Sequence, residues 1–382
     1  MLAAGVVGRA VAQAEFTWID LPAGAIRAEA YAVSDGDDPT IVGVCYFGGD
    51  NRAFRWRAGE GYLILPEENA AALAVSADGS VVVGVRPSGT GFLEAFRWTP
   101  DGVIGAGIES SATCVTADGT AAFGSRADTV GNFRWTESFE LIIPGVRPVA
   151  CNSDGTWFVG QVGGGGPEWG TAVRASIAAG IEPLGDLPGG EVESHPTAIS
   201  DDGTVVVGTS WSTVQEEAFR WTPETGMVGL GSLPGYSESQ ALGMAADGSL
   251  IVGAAGTRGM VWDSVRGMRA FRDMVQQDYG LTVADVGEIR AVSRDGRNIA
   301  GWAQEGSHPR RLWLLHIEQC CTPADMDCNL RVDIADLAVF LAHFGHCSSD
   351  PDFWPRADID RRGCVDLPDL SQLLAQFGDH CQ

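Results

Sequence analysis

The stretch LAVSADGSVVVGV, residues 73–85, sets two strand-like apolar runs on either side of Asp78-Gly79. Asp-Gly between two such runs is the strongest short-range hairpin signal, and it leads us to expect a type I′ turn with both central residues at positive φ. The pair returns as Asp35-Gly36, Asp118-Gly119, Asp154-Gly155, Asp202-Gly203, Asp247-Gly248 and Asp295-Gly296, at spacings of 36 to 48 residues. After each pair comes a short run closed by glycine, at Gly43, Gly84, Gly124, Gly160, Gly208, Gly253 and Gly301. A third column reads FRW at Trp56, Trp98, Trp135 and Trp221, and more weakly AVR (172–174), MVW (260–262) and RLW (311–313). PLGDLPGG (183–190) and GLGSLPGY (229–236) mark a fourth.

Four short β runs in a unit of about 43 residues are the signature of a propeller blade. The expected fold is therefore all-β, a seven-bladed β-propeller of four-stranded blades. The last unit stops at its third column, RRLWLLHI (310–317), while FTWIDLPAG (16–24) stands before the first unit with the character of the missing strand. Pairing of the two ends would close the ring and leave no free sheet edge.

The recurring A-x-A-[VI]-S-x-D-G-x-x-V-V-G, E-A-F-R-W and L-G-x-L-P-G-G patterns resemble the HAF-type extracellular repeats of secreted bacterial proteins. The resemblance covers roughly residues 16–318, including a helix-like insert, MRAFRDMVQQDYGL (268–281). It implies a secreted or cell-surface propeller and no particular reaction.

Composition fits an exported protein. The chain has no lysine, so all 25 basic residues are arginine against 50 acids, for a net charge of −25. Nucleic-acid binding calls for the opposite balance, and Schiff-base or Walker-type lysine chemistry is excluded. The first 14 residues, MLAAGVVGRAVAQA, end in an Ala12-Gln13-Ala14 cleavage pattern and read as a signal-peptide remnant. No run is long enough to span a bilayer.

After residue 318 the composition changes. Residues 320–382 hold six of the nine cysteines, eleven Asp, no Glu and four Arg. DMDCNLRVDIADLAVFLAHFGHC (325–347) is repeated, with changes, as DIDRRGCVDLPDLSQLLAQFGDHC (358–381). Oxygen ligands at positions 1, 3, 5, 7, 9 and 12 of a loop entering a helix make a calcium site. The first copy offers Asp325, Asp327, Asn329, the carbonyl of Arg331, Asp333 through water, and Asp336; the second offers Asp358, Asp360, the carbonyl of Cys364, Asp366 and Asp369.

Aspartate at position 12 and the tandem copy resemble a type I dockerin in a cysteine-rich, planctomycete-style variant. The resemblance implies a small all-α module of two EF-hand-like loop-helix repeats and a cohesin-like partner. Positions 10 and 11, the usual partner-contacting pair, are Ile334-Ala335 and Leu367-Pro368. Leu330 replaces the usual turn glycine of the first loop, and Arg362 sits at ligand position 5 of the second, which is expected to be the poorer site. Six cysteines in an exported module read as three disulfides with fifteen open connectivities. The division expected is 1–14 signal remnant, 15–318 propeller and 319–382 calcium-binding module.

Function on the propeller is expected at the face opposite the Asp-Gly turns, where loops vary in length. Trp169, Trp211 and Trp302 there are candidates for stacking on a glycan or contacting a protein. Glu109, Glu193 and Glu238, in ESS, ESH and ESQ, each stand five residues before the small inner-strand position and are expected to ring the channel mouth. Two carboxylates so placed could serve a glycosidase or lyase. The leading expectation is a non-enzymatic binding protein, with a polysaccharide-active enzyme or a structural envelope protein as alternatives. Cys114 and Cys151 share a column with Ala32, Ala74, Ala198, Gly243 and Ala291, and read as packed thiols. The arginine of FRW repeats in register and reads as scaffold.

Overall fold

The computed structural model describes residues 14–382 except 90, 127–130, 144, 163–169, 214, 304–309, 319–323, 327–331, 349, 351–352, 355–356, 361 and 379–382. The chain opens with β1 (Ala14–Ile19) and a first group of strands, β2 (Arg27–Val33), β3 (Ile41–Tyr46), β4 (Asn51–Arg57) and β5 (Gly61–Ile64). Next come β6 (Ala71–Val75), β7 (Val82–Pro87), β8 (Leu93–Thr99), the long β9 (Gly102–Val115), β10 (Ala122–Arg126), β11 (Gly131–Trp135) and β12 (Phe139–Leu141). Then follow β13 (Val146–Cys151), β14 (Phe158–Val162), β15 (Ala172–Ser176) and β16 (Gly180–Gly185), and after them β17 (Gly189–Ile199), β18 (Val206–Ser212), β19 (Glu216–Thr222) and β20 (Gly226–Gly229). The remaining elements are β21 (Gln240–Met244), β22 (Leu250–Ala255), β23 (Arg258–Asp263), β24 (Gly267–Ala270), α1 (Phe271–Tyr279), β25 (Ala291–Val292), β26 (Asn298–Ala303), β27 (Arg311–Ile317), α2 (Ile334–His343) and α3 (Leu367–Ala375).

Strands pair antiparallel with their chain neighbours in up-and-down sheets: β2 to β5, β6 to β12, β13 to β16, β17 to β20 and β21 to β24. In the long sheet β9 serves two partners, its first part pairing with β8 and Ser110–Val115 with β10. The last sheet runs β25-β26-β27-β1, so the N-terminal strand completes a sheet begun by the C-terminal repeat. Its register sets Trp18 opposite Trp313, and Phe16 stacks on Trp313 at 5.5 Å. The first strands of successive groups lie against one another in a closed circuit, β2 to β6, then β9, β13, β17, β21, β25 and back to β2.

The turns close the same circuit with hydrogen bonds. The amide of Asp35 donates to the carbonyl of Ala77, Ala77 to Ala117 and Ala117 to Ser153; Ser153 donates to the Asp201 carboxylate, Asp201 to Ala246 and Ala246 to Arg294. Asp295 then donates to the Asp35 side chain, which completes the loop.

The turns themselves are not type I′. Among the described residues only Asn69 is a non-glycine with positive φ, so Asp78 and its equivalents stay on the negative side while Gly79 sits at +73°. Gly79 N–H donates to the Ser76 carbonyl at 3.0 Å, which makes Ser76–Gly79 the four-residue turn. The reason is the aspartate side chain. Asp78 Oδ1 accepts from Ser76 Oγ at 2.6 Å and from the Ser80 amide at 2.9 Å, an Asx arrangement that fixes the turn through side-chain bonds. Thr116-Asp118-Thr120, Asn152-Asp154-Thr156, Ser200-Asp202-Thr204 and Ser293-Asp295-Arg297 repeat the bridge to the amide two residues on.

Asp35-Gly36 belongs to a different column. Asp35 occupies the place of Ala77 in the turn ring, and Ser34 Oγ receives the amide of Thr40, six residues on instead of five. The first turn is thus one residue longer than the others.

The glycine column has a steric cause. The first strands β2, β6, β9, β13, β17 and β21 each carry a bulge; in β2, Ala30 faces Gly43 while Ala32 faces Val42, with Tyr31 left over. The bulge turns a carbonyl onto the glycine. A Cβ would lie 1.9 Å from Glu29 O at Gly43 and 2.0 Å from Ala71 O at Gly84, with the same clash at Gly124, Gly160, Gly208 and Gly253. The E-A-F-R-W and L-G-x-L columns are likewise one unit: Glu217 accepts the Gly231 amide at 2.9 Å and fills the space where a Cβ on Gly229 would stand. The column arginine is scaffold. Arg174 donates to Gly203 O at 2.6 Å and stacks on Trp157 and Trp221.

The helix-like insert forms α1, ended by Gly280 at φ +70°. It buries Phe271, Met274 and Val275 against Trp313 and the last two sheets. The two C-terminal helices share a core of Met326, Val332, Phe340, Trp354, Val365 and Leu373. Arg266 joins this region to the sheets, donating to Phe353 O at 3.2 Å with its guanidinium 5.8 Å from the Phe353 ring. No helix among the described residues is long and apolar enough to cross a membrane.

Candidate functional site

The bulge residues Tyr31, Leu73, Thr113, Val149, Thr197 and Leu242 point into an axial cavity of about 220 Å³. At the turn end Arg294 reaches across to Ser153 and Asp201, bridging the opening with a charged side chain. At the opposite end a polar collar surrounds the mouth. Glu29 accepts from the hydroxyls of Tyr31 (3.2 Å) and Tyr46 (3.3 Å), and the Arg27 guanidinium lies 3.8 Å over the Tyr46 ring. Burial, then the neighbouring Tyr46 and Glu29, pushes the Tyr31 phenol well above its ordinary pKa, so it is a hydrogen-bond donor at every physiological pH. Further round, Gln240 Nε2 donates to Glu216 at 2.8 Å. Gln161 Nε2 lies 2.6 Å from His195 Nδ1, and His195 Nε2 lies 2.9 Å from Glu193 Oε1.

The three expected carboxylates have three different settings. Glu109 is exposed on β9 opposite Glu94, Glu193 pairs with His195 on β17, and Glu238 is exposed ahead of β21. What repeats is the serine that follows each one. Buried Ser110, Ser194 and Ser239 take the amides of Ala95, Ala172 and Ala218 at 2.8–3.0 Å and donate to the carbonyls of Ile108, Gly185 and Gly231. Each hydroxyl ties the start of one repeat to the edge of the one before. The Glu-Ser recurrence therefore has a scaffold cause.

Trp211 is half-buried near the end of β18, opposite Glu216. Trp302 is half-buried under the Arg310 guanidinium, 4.6 Å away. Trp169 lies outside the described residues. The collar of Glu29, Tyr31, Tyr46, Gln161 and Gln240 was not singled out from the sequence. Its signal was available as a departure from repeat, Tyr31 and Arg290 being the bulkiest members of the bulge column.

In the C-terminal region the second loop brings Asp358, Asp360 and Asp369 together, with one oxygen of each within 4.8 Å of the others. Gly363 N–H donates to Asp358 at 2.7 Å, the Arg362 amide to Asp358 and Asp360, and the Asp360 amide to Asp369 at 2.8 Å. These donors fold the loop around its carboxylates. Burial, reinforced by Asp369 and Asp360, raises the Asp358 pKa despite the amides. Three hard oxygen donors crowded at one point fit a hard divalent cation. The Arg362 side chain is 77% exposed and turned outward, its guanidinium 3.5 Å from Asp360, so position 5 does not fill the cluster.

In the first loop Asp325 and Asp336 are fully buried, and Asp336 accepts the amides of Met326 (2.5 Å) and Asp333 (2.7 Å). Asp327, Asn329 and Arg331 lie outside the described residues, and Asp366 caps α3 as Asp333 caps α2. The two copies hold each other: Gly345 N–H donates to Val365 O, and Gly378 N–H to Val332 O, both at 2.8 Å. Both glycines sit at φ near +90°, which explains the repeated Phe-Gly. Cys347 bonds to Cys364, which settles one of the expected pairings; Cys320, Cys321, Cys328 and Cys381 lie outside the described residues. On α2 and α3 the apolar residues Ile334 and Leu367, 75% and 68% exposed, occupy equivalent places, as do Leu341 and Leu374, and Phe344 and Phe377.

No protein-family profile and no curated protein matches the chain. Solved structures do. A catalytically inactive virginiamycin B lyase from Staphylococcus aureus with quinupristin aligns at 13% identity over 80% of this chain and 100% of that one, with a TM-score of 0.52. An oligogalacturonate lyase in complex with manganese aligns at 13% identity over 80% and 98%, TM-score 0.51. Both are propeller-type proteins, and together with the closed circuit of sheets they define the fold class here as a β-propeller.

Proposed function

We propose that this chain is a secreted bacterial binding protein, with a seven-bladed propeller of HAF-type repeats over residues 15–318 and a dockerin-like, calcium-dependent attachment module over 319–382. The circuit of inner strands supports the blade count, with β9 ending one four-stranded blade and beginning the next. The observation that carries the binding reading is where the repeated polar residues go. Serine, aspartate, arginine and EAFRW glutamate are used up inside the scaffold, while the mouth keeps an irregular collar of Tyr31, Tyr46, Gln161 and Gln240, with Trp211 near the end of β18. Phenols and amides around a shallow mouth suit the hydroxyl-rich, apolar-faced surface of a glycan, or a protein surface.

Calcium in the second loop would be held by Asp358, Asp360 and Asp369, with the Cys364 carbonyl and Asp366 completing the set. In the first, Asp325, Asp327, Asn329, the Arg331 carbonyl, Asp333 and Asp336 would serve. The exposed Ile334, Leu341 and Phe344, and their counterparts on α3, suit an apolar patch on a cohesin-like partner. The disulfide between Cys347 and Cys364 accords with an oxidising, extracellular setting.

One observation favours an enzyme as the second reading. His195 accepts from Gln161 at Nδ1 and donates to Glu193 from Nε2, so the imidazole would hold the Glu193 carboxylate in place, and that carboxylate is the group that could abstract a proton from a polysaccharide. Incubating the full chain with insoluble and sulfated polysaccharides separates the readings by retention and by released reducing ends. Retention without release is expected. Release that disappears in Glu193→Gln would move the assignment to the glycosidase or lyase, and neither retention nor release would point to a protein partner or a structural envelope role.

A further inference from the structure

We propose that Cys114 and Cys151 are a redox-active pair that closes into a disulfide between two neighbouring inner strands. They stand on β9 and β13, first-position strands that lie against each other in the circuit. The registers set Cys114 opposite Phe123 in the place held by Ala32 and Ala74, and Cys151 opposite Phe158 in the place held by Val33 and Val75, so sulfur replaces a small residue on one strand and a larger apolar one on the next. Both are buried in one apolar cluster with Phe123 and Phe158, where Cys151 adds to the burial that disfavours the Cys114 thiolate. Both also line the axial cavity, which gives a small reagent a route to sulfur without unfolding. Burial pushes the Cys114 thiol far up, and the nearby Arg294 guanidinium opposes that by favouring the thiolate. Cys45 shows the contrast. It is buried on β3 in a different cluster, where burial alone raises its pKa to about 12.

The oxidant would be a small, uncharged aliphatic disulfide. One cysteine thiolate attacks a sulfur of that reagent and expels one thiolate, forming a mixed disulfide; the second cysteine attacks the mixed disulfide at the protein sulfur and expels the other. The two protons lost by the cysteines end on the two thiols released, and two electrons pass from protein to reagent.

The test uses the folded full-length chain and hydroxyethyl disulfide. After reaction the protein is unfolded, free thiols are alkylated and the chain is cut at arginine, which places Cys114 in fragment 98–126, Cys151 in 135–174 and Cys45 in 28–52. The expected result is 98–126 joined to 135–174, two hydrogens lighter than their sum, with Cys45 alkylated. In Cys151→Ala, Cys114 should instead keep a hydroxyethyl adduct, because no second thiol resolves it. The oxidised chain should melt higher than the reduced one, and this gain should vanish in Cys114→Ala. Two alkylated thiols after oxidation, a lasting adduct in the native chain, or cross-linking only when the chain is unfolded beforehand would each overturn the pair.

Discussion

Aspartate serves two opposite purposes in the two halves of this chain. In the hairpin turns, hydrogen bonds from Thr120 and Thr116 hold Asp118, those from Thr156 hold Asp154, and those from Ser200 and Thr204 hold Asp202, all below the ordinary carboxylate range. In the second C-terminal loop Asp358 is pushed above that range by burial beside two other carboxylates. The turn aspartates have their partners within the turn, so they stabilise the fold by themselves. The loop aspartates are crowded against like charge, an arrangement that a cation would relieve. The same residue type therefore marks scaffold in one region and a candidate site in the other, and the hydroxyl neighbours distinguish the two cases.

The sharpest way to break the scaffold half of this contrast is to open the ring. Deleting Glu15–Gly24 removes β1 from β27 together with the Phe16 and Trp18 contacts, and thermal melting should show a drop of about 10 °C or more with a tendency to associate through the bared edge. Next in size, Gly84→Ala drives a methyl into the Ala71 carbonyl and should cost about 3 kcal/mol by denaturant titration. Gly59→Ala, where the added carbon meets nothing within 4 Å, should be close to neutral.

The loop half is tested by calcium. Millimolar calcium should stabilise the C-terminal region by about 2–3 kcal/mol if it exceeds the dissociation constant a hundredfold, a gain lost in Asp369→Asn and Asp358→Asn. The smallest effect belongs to a single turn. Asp202→Ala removes the bonds from Ser200 and Thr204 and should cost about 1 kcal/mol, with no response to calcium. Because the folded pKa values of Asp118, Asp154 and Asp202 are lowered, their contribution is complete above the unfolded value of about 4 and disappears as pH falls through the folded values. An acid titration of the triple variant should therefore be flatter than that of the native chain. Equal slopes would remove the distinction.

Much of the scaffold was legible because each repeat restates the same local constraint. Asp-Gly located the turns, a glycine closing each following run repeated from unit to unit, and the orphan strand FTWIDL anticipated the pairing of β1 with β27. The type of turn was misread, since Asp-Gly alone does not reveal that Ser76 and Ser80 bond the aspartate and leave positive φ to the glycine only. Glu109, Glu193 and Glu238 attracted attention as acids, whereas the structural role belonged to the serine beside each, whose partners come from the preceding repeat.

The repeat, its strands, the closing N-terminal strand and the acid-rich duplicated loops are all readable along the chain, because they depend on patterns within a few dozen residues. Folding adds that carbonyls at the bulges need the glycines, that Arg294 spans the turn end of the cavity, that Tyr31, Tyr46, Gln161 and Gln240 gather at its mouth, and that Cys114 and Cys151 share one buried cluster. Those meetings arise from the closure of the ring, which brings together side chains from every repeat and leaves no local signature in any one of them.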